Sequence, residues 1–217
     1  MNLILLLLFG YLVGSLSFAV LVSRAMGLPD PHSYGSGNPG ATNVLRTGNK
    51  AAAVLTLLGD ALKGVFVVLA GRALADRFGF DGVDLAAAGL AAFLGHLYPI
   101  FFKFRGGKGV ATAAGVLYGM SGWLGLAVSG CWLAAFAVSR ISSVGALFAA
   151  VAAPVLTWVF SGSAGQTGIV AVMAVLLVWR HRANIRKLME GKEGRVGQRA
   201  AEAATQAGAS ADNSQRG

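Results

Sequence analysis

The chain has 217 residues, of which 55% are hydrophobic and only 12% are charged. A soluble domain of this length carries about 25% charged residues, so the composition excludes an ordinary soluble globular protein. The formal net charge of +9 suits anionic lipid or phosphate as partners, and no nucleic-acid-binding motif accompanies it. We therefore predict an all-α integral membrane protein with no nucleic acid partner.

Several apolar segments approach or exceed the length of about 20 residues that crosses a hydrocarbon core. They cover residues 2–22, 51–74, 85–102, 110–138, 144–160 and 168–179. The fourth segment is interrupted at 119–122 by Gly-Met-Ser-Gly, a typical turn sequence. We predict a short helix near 109–119 and a second helix at 122–138, which gives seven spans. A single long tilted helix in this segment would give six.

The distribution of charge predicts the orientation. The first basic residue, Arg24, follows the first apolar segment, which is untypical of a cleaved signal peptide and favours a retained first span. With seven spans and the N-terminus outside, fifteen of the eighteen Lys and Arg residues lie in inside loops or the C-terminal tail. Basic residues accumulate on the cytoplasmic side, so the count favours seven spans and a cytoplasmic C-terminus.

We divide the chain into a membrane domain at 1–194 and a tail at 195–217. The tail is rich in Ala, Gly, Ser and Gln and has no apolar period, which predicts a disordered cytoplasmic extension. The single cysteine, Cys131, lies inside an apolar segment and is interpreted as a packing residue.

A first polar motif occupies residues 35–46, after the first span. Its glycines, Gly37 among them, allow backbone N–H groups to approach an anion closely. Its polar side chains are neutral hydrogen-bonding groups and one forked cation, and they belong to Ser36, Asn38, Thr42, Asn43 and Arg46. Such a set suits phosphate, although a flexible Gly/Asn loop between two helices is the simpler interpretation.

A second polar motif, Gly106-Gly107-Lys108-Gly109, directly precedes an apolar helix, with His96 ten residues upstream. A phosphate at that helix N-terminus would meet free N–H groups and the charge of Lys108. Gly109 stands where a Walker A loop needs Ser or Thr to hold magnesium, which disfavours a nucleotide hydrolase. Basic anchoring at the membrane surface is the alternative.

A third motif follows the last span. His181 and Asn184 are spaced i and i+3 and share a helix face if that span continues into the cytoplasm. The basic residues beside them would alone form an ordinary stop-transfer cluster. Ser142 and Ser143 at another cytoplasmic turn are expected to be helix N-caps, and Ser142 is also a candidate for phosphate binding.

Asp60 and Lys63 lie about ten residues into the second span. Charged residues at such depth usually face the bundle interior, so we expect both to be buried. A structural ion pair and a role with substrate both remain open.

These motifs are rich in donors and cations but offer no oriented nucleophile and no cluster with metal-ligand spacing. We therefore predict no metal and no cofactor. These donors and cations fit a reaction in which the protein positions phosphorylated substrates and stabilises negative charge.

The three motifs, in this order, resemble those of the bacterial acyl-phosphate:glycerol-3-phosphate acyltransferases of the PlsY type, over about residues 1–194. The resemblance implies seven spans, an outside N-terminus and an active site at the cytoplasmic face of the bacterial inner membrane. It also implies acyl transfer from acyl phosphate to the 1-hydroxyl of sn-glycerol 3-phosphate. The products would be lysophosphatidate and inorganic phosphate, in the first step of phospholipid synthesis. An enzyme that supplies acyl phosphate is the implied functional partner, alongside membrane lipid.

The resemblance also implies roles for residues. Phosphate of the substrates would be bound by Ser36, Asn38 and Arg46, and the acyl phosphate by Lys108 and the backbone of 106–109. His96, His181 and Asn184 would be the catalytic residues, with His181 and Asn184 orienting the reacting groups. We predict no protein nucleophile, because no carboxylate is well placed beside these residues. An organophosphate transporter and a membrane scaffold for an acyl-carrier partner are the alternative functions.

Overall fold

The computed structural model describes residues 2–195, and this part of the chain is helical without any strand. Its helices are α1 (Asn2–Gly14), α2 (Phe18–Ala25), α3 (Ala41–Val44), α4 (Lys50–Ala73), α5 (Ala75–Phe78), α6 (Gly82–Leu97), α7 (Val110–Met120), α8 (Gly122–Ser139), α9 (Ser142–Ser161), α10 (Ala164–Arg180) and α11 (Arg182–Met189). The predicted tail lies outside the described residues except for its first position, Arg195.

Four helical segments are long and apolar enough to cross a membrane: α4, α8, α9 and the 82–102 segment that contains α6. Two bent pairs, α1 with α2 and α10 with α11, raise the count to six within the described residues. The predicted division of the fourth apolar segment is confirmed, since α7 ends at Met120 and α8 begins at Gly122. A helix of eleven residues such as α7 rises only about 17 Å, so a seventh span stays a prediction.

The first and the last helix pairs of the described residues are bent. The α1–α2 pair bends by 41° and the α10–α11 pair by 56°. The second bend falls at His181, so the last span does not continue straight into the cytoplasm, which was the condition for His181 and Asn184 to share one helix face. The bend turns α11 away from the axis of α10.

Glycines allow the central helices to approach each other closely. A Cβ added to Gly14 of α1 would overlap the carbonyl oxygen of Ala92 in α6. In the same way, a Cβ on Gly115 of α7 would overlap the carbonyl oxygen of Ala61 in α4. Small residues at such contacts are the usual means by which membrane helices pack, because lipid provides no hydrophobic force between them.

The interior and the outer surface of the bundle are both apolar. Phe93, Leu97 and Val116 are fully buried at the centre, while Val138 of α8 and Val175 of α10 are 90% and 68% exposed. A helix that is apolar on all sides is typical of a membrane span. The outward side chains therefore form the lipid-facing surface.

The glycine contact between α4 and α7 yields a stability prediction. We expect Gly115→Ala to destabilise the protein by about 1–3 kcal/mol through overpacking and to lower the melting temperature by several degrees. Gly130→Ala in α8 is the matched control, since nothing lies within 4 Å of an added Cβ there. Thermal unfolding of both variants in detergent provides the measurement, and equal melting temperatures would contradict the packing argument.

Candidate functional site

The first polar motif folds into a loop that Asn43 holds in shape. Gly35 and Gly37 have positive φ angles of 60° and 65°, which glycine adopts without steric cost. The backbone N–H of Ser36 donates to Asn43 Oδ1 at 3.0 Å, and Asn43 Nδ2 donates to the Pro31 carbonyl at 2.9 Å. Asn43 is buried, so its amide shapes the loop from within.

Arg46 lies in a short 3₁₀ turn after α3 and extends back across the first loop. A Cβ built on Gly35 would lie 3.1 Å from Arg46 Nη1, so the glycine gives the guanidinium room. Thr42 and Ser142 bring their hydroxyl oxygens to 3.4 Å, which joins the first loop to the start of α9. The expected N-cap role of Ser142 and Ser143 is wrong, because Ile141 is the N-cap and both serines lie inside the helix.

The second motif forms a loop at residues 105–109, called the glycine loop. Arg180 of α10 holds this loop with two hydrogen bonds. Arg180 donates from Nη2 to the Gly106 carbonyl at 2.7 Å and from Nε to the Gly107 carbonyl at 3.1 Å. The Gly107 N–H donates to the His96 carbonyl at 3.2 Å, so this N–H is already engaged. Gly109 has a φ of 85° and is the N-cap of α7, as the predicted loop-to-helix arrangement requires.

His96 lies beneath this loop and is 7% exposed. A Cβ on Gly107 would overlap His96 Nε2, so the absence of a side chain at 107 lets the ring approach the loop. The predicted burial of Asp60 and Lys63 is confirmed, at 2% and 3% exposed. Lys63 Nζ lies 2.9 Å from both Asp60 Oδ1 and His96 Nδ1.

The third motif surrounds the bend between α10 and α11. His181 is 3% exposed, and its Nδ1 lies 2.8 Å from the Leu177 carbonyl oxygen. Since a carbonyl can only accept, Nδ1 carries the proton of that hydrogen bond. Asn184 lies on α11, one turn beyond the bend, and faces the second motif.

Asn184 connects three segments of the chain. Its Oδ1 accepts a short hydrogen bond from Lys108 Nζ, and its Nδ2 donates to Glu193 Oε1. The same Glu193 oxygen accepts from Ser143 Oγ at 2.8 Å. This chain of hydrogen bonds fixes the Lys108 ammonium between the glycine loop, α11 and α9.

Residues of all three motifs line one small pocket of about 100 Å³. Its lining residues are Ser36, Asn38, Lys108, Ala183, Asn184 and Lys187. A larger apolar pocket of about 230 Å³ lies between α1, α4 and the 78–80 segment, away from the three motifs. The polar pocket is therefore the candidate functional site.

The electrostatics of this pocket are dominated by positive charge. The pKa of Lys108 is lowered to about 8, mainly because the ammonium is buried. The carboxylate of Glu193 acts in the opposite direction, while the charges of Lys187, Arg180 and Arg46 add to the lowering. An anion bound in the pocket would relieve this repulsion among like charges.

Sequence reasoning missed three residues of the site: Arg180, Lys187 and Glu193. Arg180 and Lys187 were counted only as part of a basic cluster after the last span, where nothing in the spacing distinguished them. Glu193 is an acid among basic residues near the end of the membrane domain, and that contrast was an available signal. Among residues 2–195, no group of three or more His, Cys, Asp or Glu side chains could hold a metal ion.

Comparisons with known proteins identify the family of this chain. The family of glycerol-3-phosphate acyltransferases matches residues 4–191. The glycerol-3-phosphate acyltransferase of Thiobacillus denitrificans is 59% identical over 196 residues, covering 90% of this chain and 98% of the relative. The enzyme of the same name from Ralstonia nicotianae is 59% identical over 189 residues, covering 87% and 91%.

Solved structures of a related protein share the fold. The crystal structure of PlsY (YgiH), an integral membrane glycerol 3-phosphate acyltransferase, in its glycerol 3-phosphate form has a TM-score of 0.85 and 37% identity. That comparison covers 93% of this chain and 98% of PlsY. The lysophosphatidic acid form gives a TM-score of 0.82. The chain therefore belongs to the glycerol-3-phosphate acyltransferase family and is an integral membrane enzyme.

Proposed function

We propose that the protein transfers a fatty acyl group from acyl phosphate to the 1-hydroxyl of sn-glycerol 3-phosphate. The products are lysophosphatidate and inorganic phosphate. The observation that carries the proposal is the convergence of Ser36, Asn38, Lys108 and Asn184 on one pocket. Three motifs far apart in the chain supply these residues, and together with nearby cations they form a binding surface for phosphate groups.

The pairing of substrates fits the chemistry of the pocket and the solved relative. PlsY has been crystallised in glycerol 3-phosphate and lysophosphatidic acid forms, which would be the acceptor and the product of this reaction. An acyl phosphate donor leaves as phosphate, an anion that a helix N-terminus and an ammonium both stabilise. Lys108 and the α7 N-terminus, which the loop 106–109 precedes, supply both.

We assign roles according to the contacts of each side chain. Ser36, Asn38, Thr42, Arg46 and Ser142 bind phosphate oxygens at the first loop, while Gly37 and Asn43 keep that loop in shape. Lys108, with Gly106, Gly107 and Gly109, holds the acyl phosphate, although the Gly107 N–H is engaged by His96. Asn184 holds Lys108 in place, and His181 stabilises the bend that carries Asn184.

The transfer needs no nucleophile from the protein. The 1-hydroxyl oxygen of glycerol 3-phosphate attacks the acyl carbon and forms the ester bond. The bond between the acyl carbon and the phosphate oxygen breaks, and the departing phosphate takes the hydroxyl proton. Lys108 offsets the negative charge that develops, which is the main contribution a preorganised site makes to such a step.

We further propose that this site faces the cytoplasm of the bacterial cell, in the inner membrane. The count of basic residues supports an outside N-terminus, with seven spans of which α7 is the shortest. An enzyme that produces acyl phosphate on the same side would supply the donor.

The direct test is a reconstituted assay with palmitoyl phosphate and glycerol 3-phosphate. We expect phosphate release that requires both substrates and yields lysophosphatidate. Lys108→Met should lower kcat/KM by about 10²–10³-fold, as the loss of one charge-stabilising group does. Arg46→Ala should also lower activity. Lys103→Met is the matched control, because Lys103 is an exposed lysine near the glycine loop and outside the pocket.

If the folded protein releases no phosphate from the two substrates, the proposed reaction is contradicted. Transport of an organophosphate would then become the leading alternative, and a flux assay in liposomes would test it. Lysophosphatidate formed with palmitoyl coenzyme A but not with palmitoyl phosphate would retain the acceptor and reject the donor.

The lowered pKa of Lys108 predicts a pH dependence. With a pKa of about 8 in the free enzyme, Lys108 is protonated below this pH and neutral above it. We expect kcat/KM to fall as the pH rises through this region, because only the ammonium attracts phosphate. Lys108→Arg should move the fall to higher pH, since the guanidinium stays charged. Identical profiles for the two proteins, after subtraction of spontaneous donor hydrolysis, would exclude Lys108 as the titrating group.

The orientation can be tested at the two ends of α4. In a Cys131→Ala background, we expect Lys50→Cys to be protected and Asp76→Cys to be labelled when intact spheroplasts meet a membrane-impermeant maleimide. Both positions are exposed, and permeabilised cells provide the control in which both should react. The reverse labelling pattern would overturn the proposed topology.

A further inference from the structure

A cluster of three polar side chains lies inside the membrane part of the bundle, beneath the glycine loop. Asp60 and Lys63 belong to α4 and His96 to α6, and their exposures are 2%, 3% and 7%. Ionisable groups at such depth are costly and are functional candidates by default. The proposed acyl transfer gives Asp60 and Lys63 no step, so their presence needs another explanation.

Lys63 Nζ has three polar neighbours. Its Nζ donates to the Leu16 carbonyl at 2.7 Å and to Asp60 Oδ1 at 2.9 Å. His96 Nδ1 is the third neighbour, also at 2.9 Å. The Asp60 carboxylate lies within ion-pair distance of the Lys63 nitrogen, and a buried carboxylate keeps its charge only beside an opposite charge. Lys63 is therefore the ammonium partner of Asp60, and an ammonium has three donors and no acceptor.

The contact with Lys63 determines which ring nitrogen of His96 carries the proton. A neutral imidazole has one N–H donor and one acceptor nitrogen. Nδ1 lies 2.9 Å from the Lys63 ammonium but 3.5 Å from Asp60 Oδ1, and the longer distance is beyond a normal hydrogen bond. Nδ1 is therefore the acceptor, and the proton resides on Nε2.

Nε2 lies where the two polar loops meet. A Cβ built on Gly107 would overlap His96 Nε2 and lie 3.0 Å from the carbonyl oxygen of Pro39 in the first loop. Thr112, in the first turn of α7, donates from Oγ1 to the Asp60 carbonyl at 2.9 Å. The cluster is thus connected to the helix whose N-terminus follows the glycine loop.

We propose that the Asp60–Lys63 ion pair is a positioning device that holds His96 in its Nε2–H tautomer. An N–H donor then faces the junction of the first and second loops, at Pro39 and Gly107. That this donor serves bound substrate rests on the proposed function, whereas the tautomer itself does not. Lys63 acts through His96, so it is a positioning residue.

The tautomer can be measured by ¹⁵N NMR of protein labelled at histidine. The chain has three histidines, and the two buried ones should carry opposite tautomers: Nε2–H in His96 and Nδ1–H in His181, which donates to Leu177. His96→Gln and His181→Gln assign the signals. A proton on Nδ1 of His96, or on both of its nitrogens, would overturn the proposal even if the enzyme transfers acyl groups as proposed.

Substitutions test the role of the pair. In Lys63→Met, His96 loses the donor at Nδ1, and we expect its single fixed tautomer to be replaced by a mixture or by Nδ1–H. Lys63→Arg keeps a cationic donor and should retain more of the Nε2–H form than Lys63→Met. An unchanged His96 signal in folded Lys63→Met would refute the positioning role.

Activity provides a second readout. Glutamine presents its amide N–H near the place of Nε2, while asparagine presents it nearer to Nδ1. We expect His96→Gln to retain about tenfold more activity than His96→Asn, the order of magnitude for one hydrogen bond to a charged group. Equal activities with an intact Nε2–H signal in the unmodified enzyme would leave the tautomer in place and reject its use by substrate.

Discussion

A polar group inside a bilayer must find its partner within the protein, because the hydrocarbon core offers no water to hydrogen-bond it. This constraint is met in the same way at two places where the chain leaves regular helix. At the break between α1 and α2, the Leu16 carbonyl accepts from Lys63. At the glycine loop, the carbonyls of Gly106 and Gly107 accept from Arg180. The irregular segments are therefore supported by side chains from distant helices, and these same supports shape the site.

The site depends on close approach of helices as much as on its polar residues. Gly14 allows α1 to lie against α6, and Gly115 allows α7 to lie against α4. These contacts accompany the placement of the first turn of α7 next to Asp60 and of His96 next to Gly107. The close packing at Gly14 and Gly115 therefore helps to fix where the glycine loop lies. A side chain at either contact would separate helices that carry different parts of the site.

Electrostatics explain why the site is suited to anions. Lys108 is half-buried beside other cations, and its pKa is lowered to about 8, so the free site is under repulsion that a phosphate would relieve. Glu193 offsets part of this charge and, through Asn184, fixes the ammonium at the pocket wall. The buried Asp60–Lys63 pair lies apart from the pocket lining and is balanced within itself. Among the described residues, the unbalanced positive charge at the pocket is thus suited to a ligand, whereas the balanced pair is suited to positioning His96.

The sequence by itself determined the membrane class, the division at Gly122, the three motifs and the burial of Asp60 and Lys63, because apolar length, turn residues and charge are local properties. Its motifs also resembled those of one family, and the comparisons confirm that family. The sequence did not determine the bend at His181 or the hydrogen bonds from Arg180 to the glycine loop. Nor did it determine the hydrogen bonds that Glu193 accepts from Ser143 and Asn184. These contacts join residues as many as 74 positions apart. They depend on how close the helices lie and at what angle, which local spacing does not encode, and only the tertiary structure decided them.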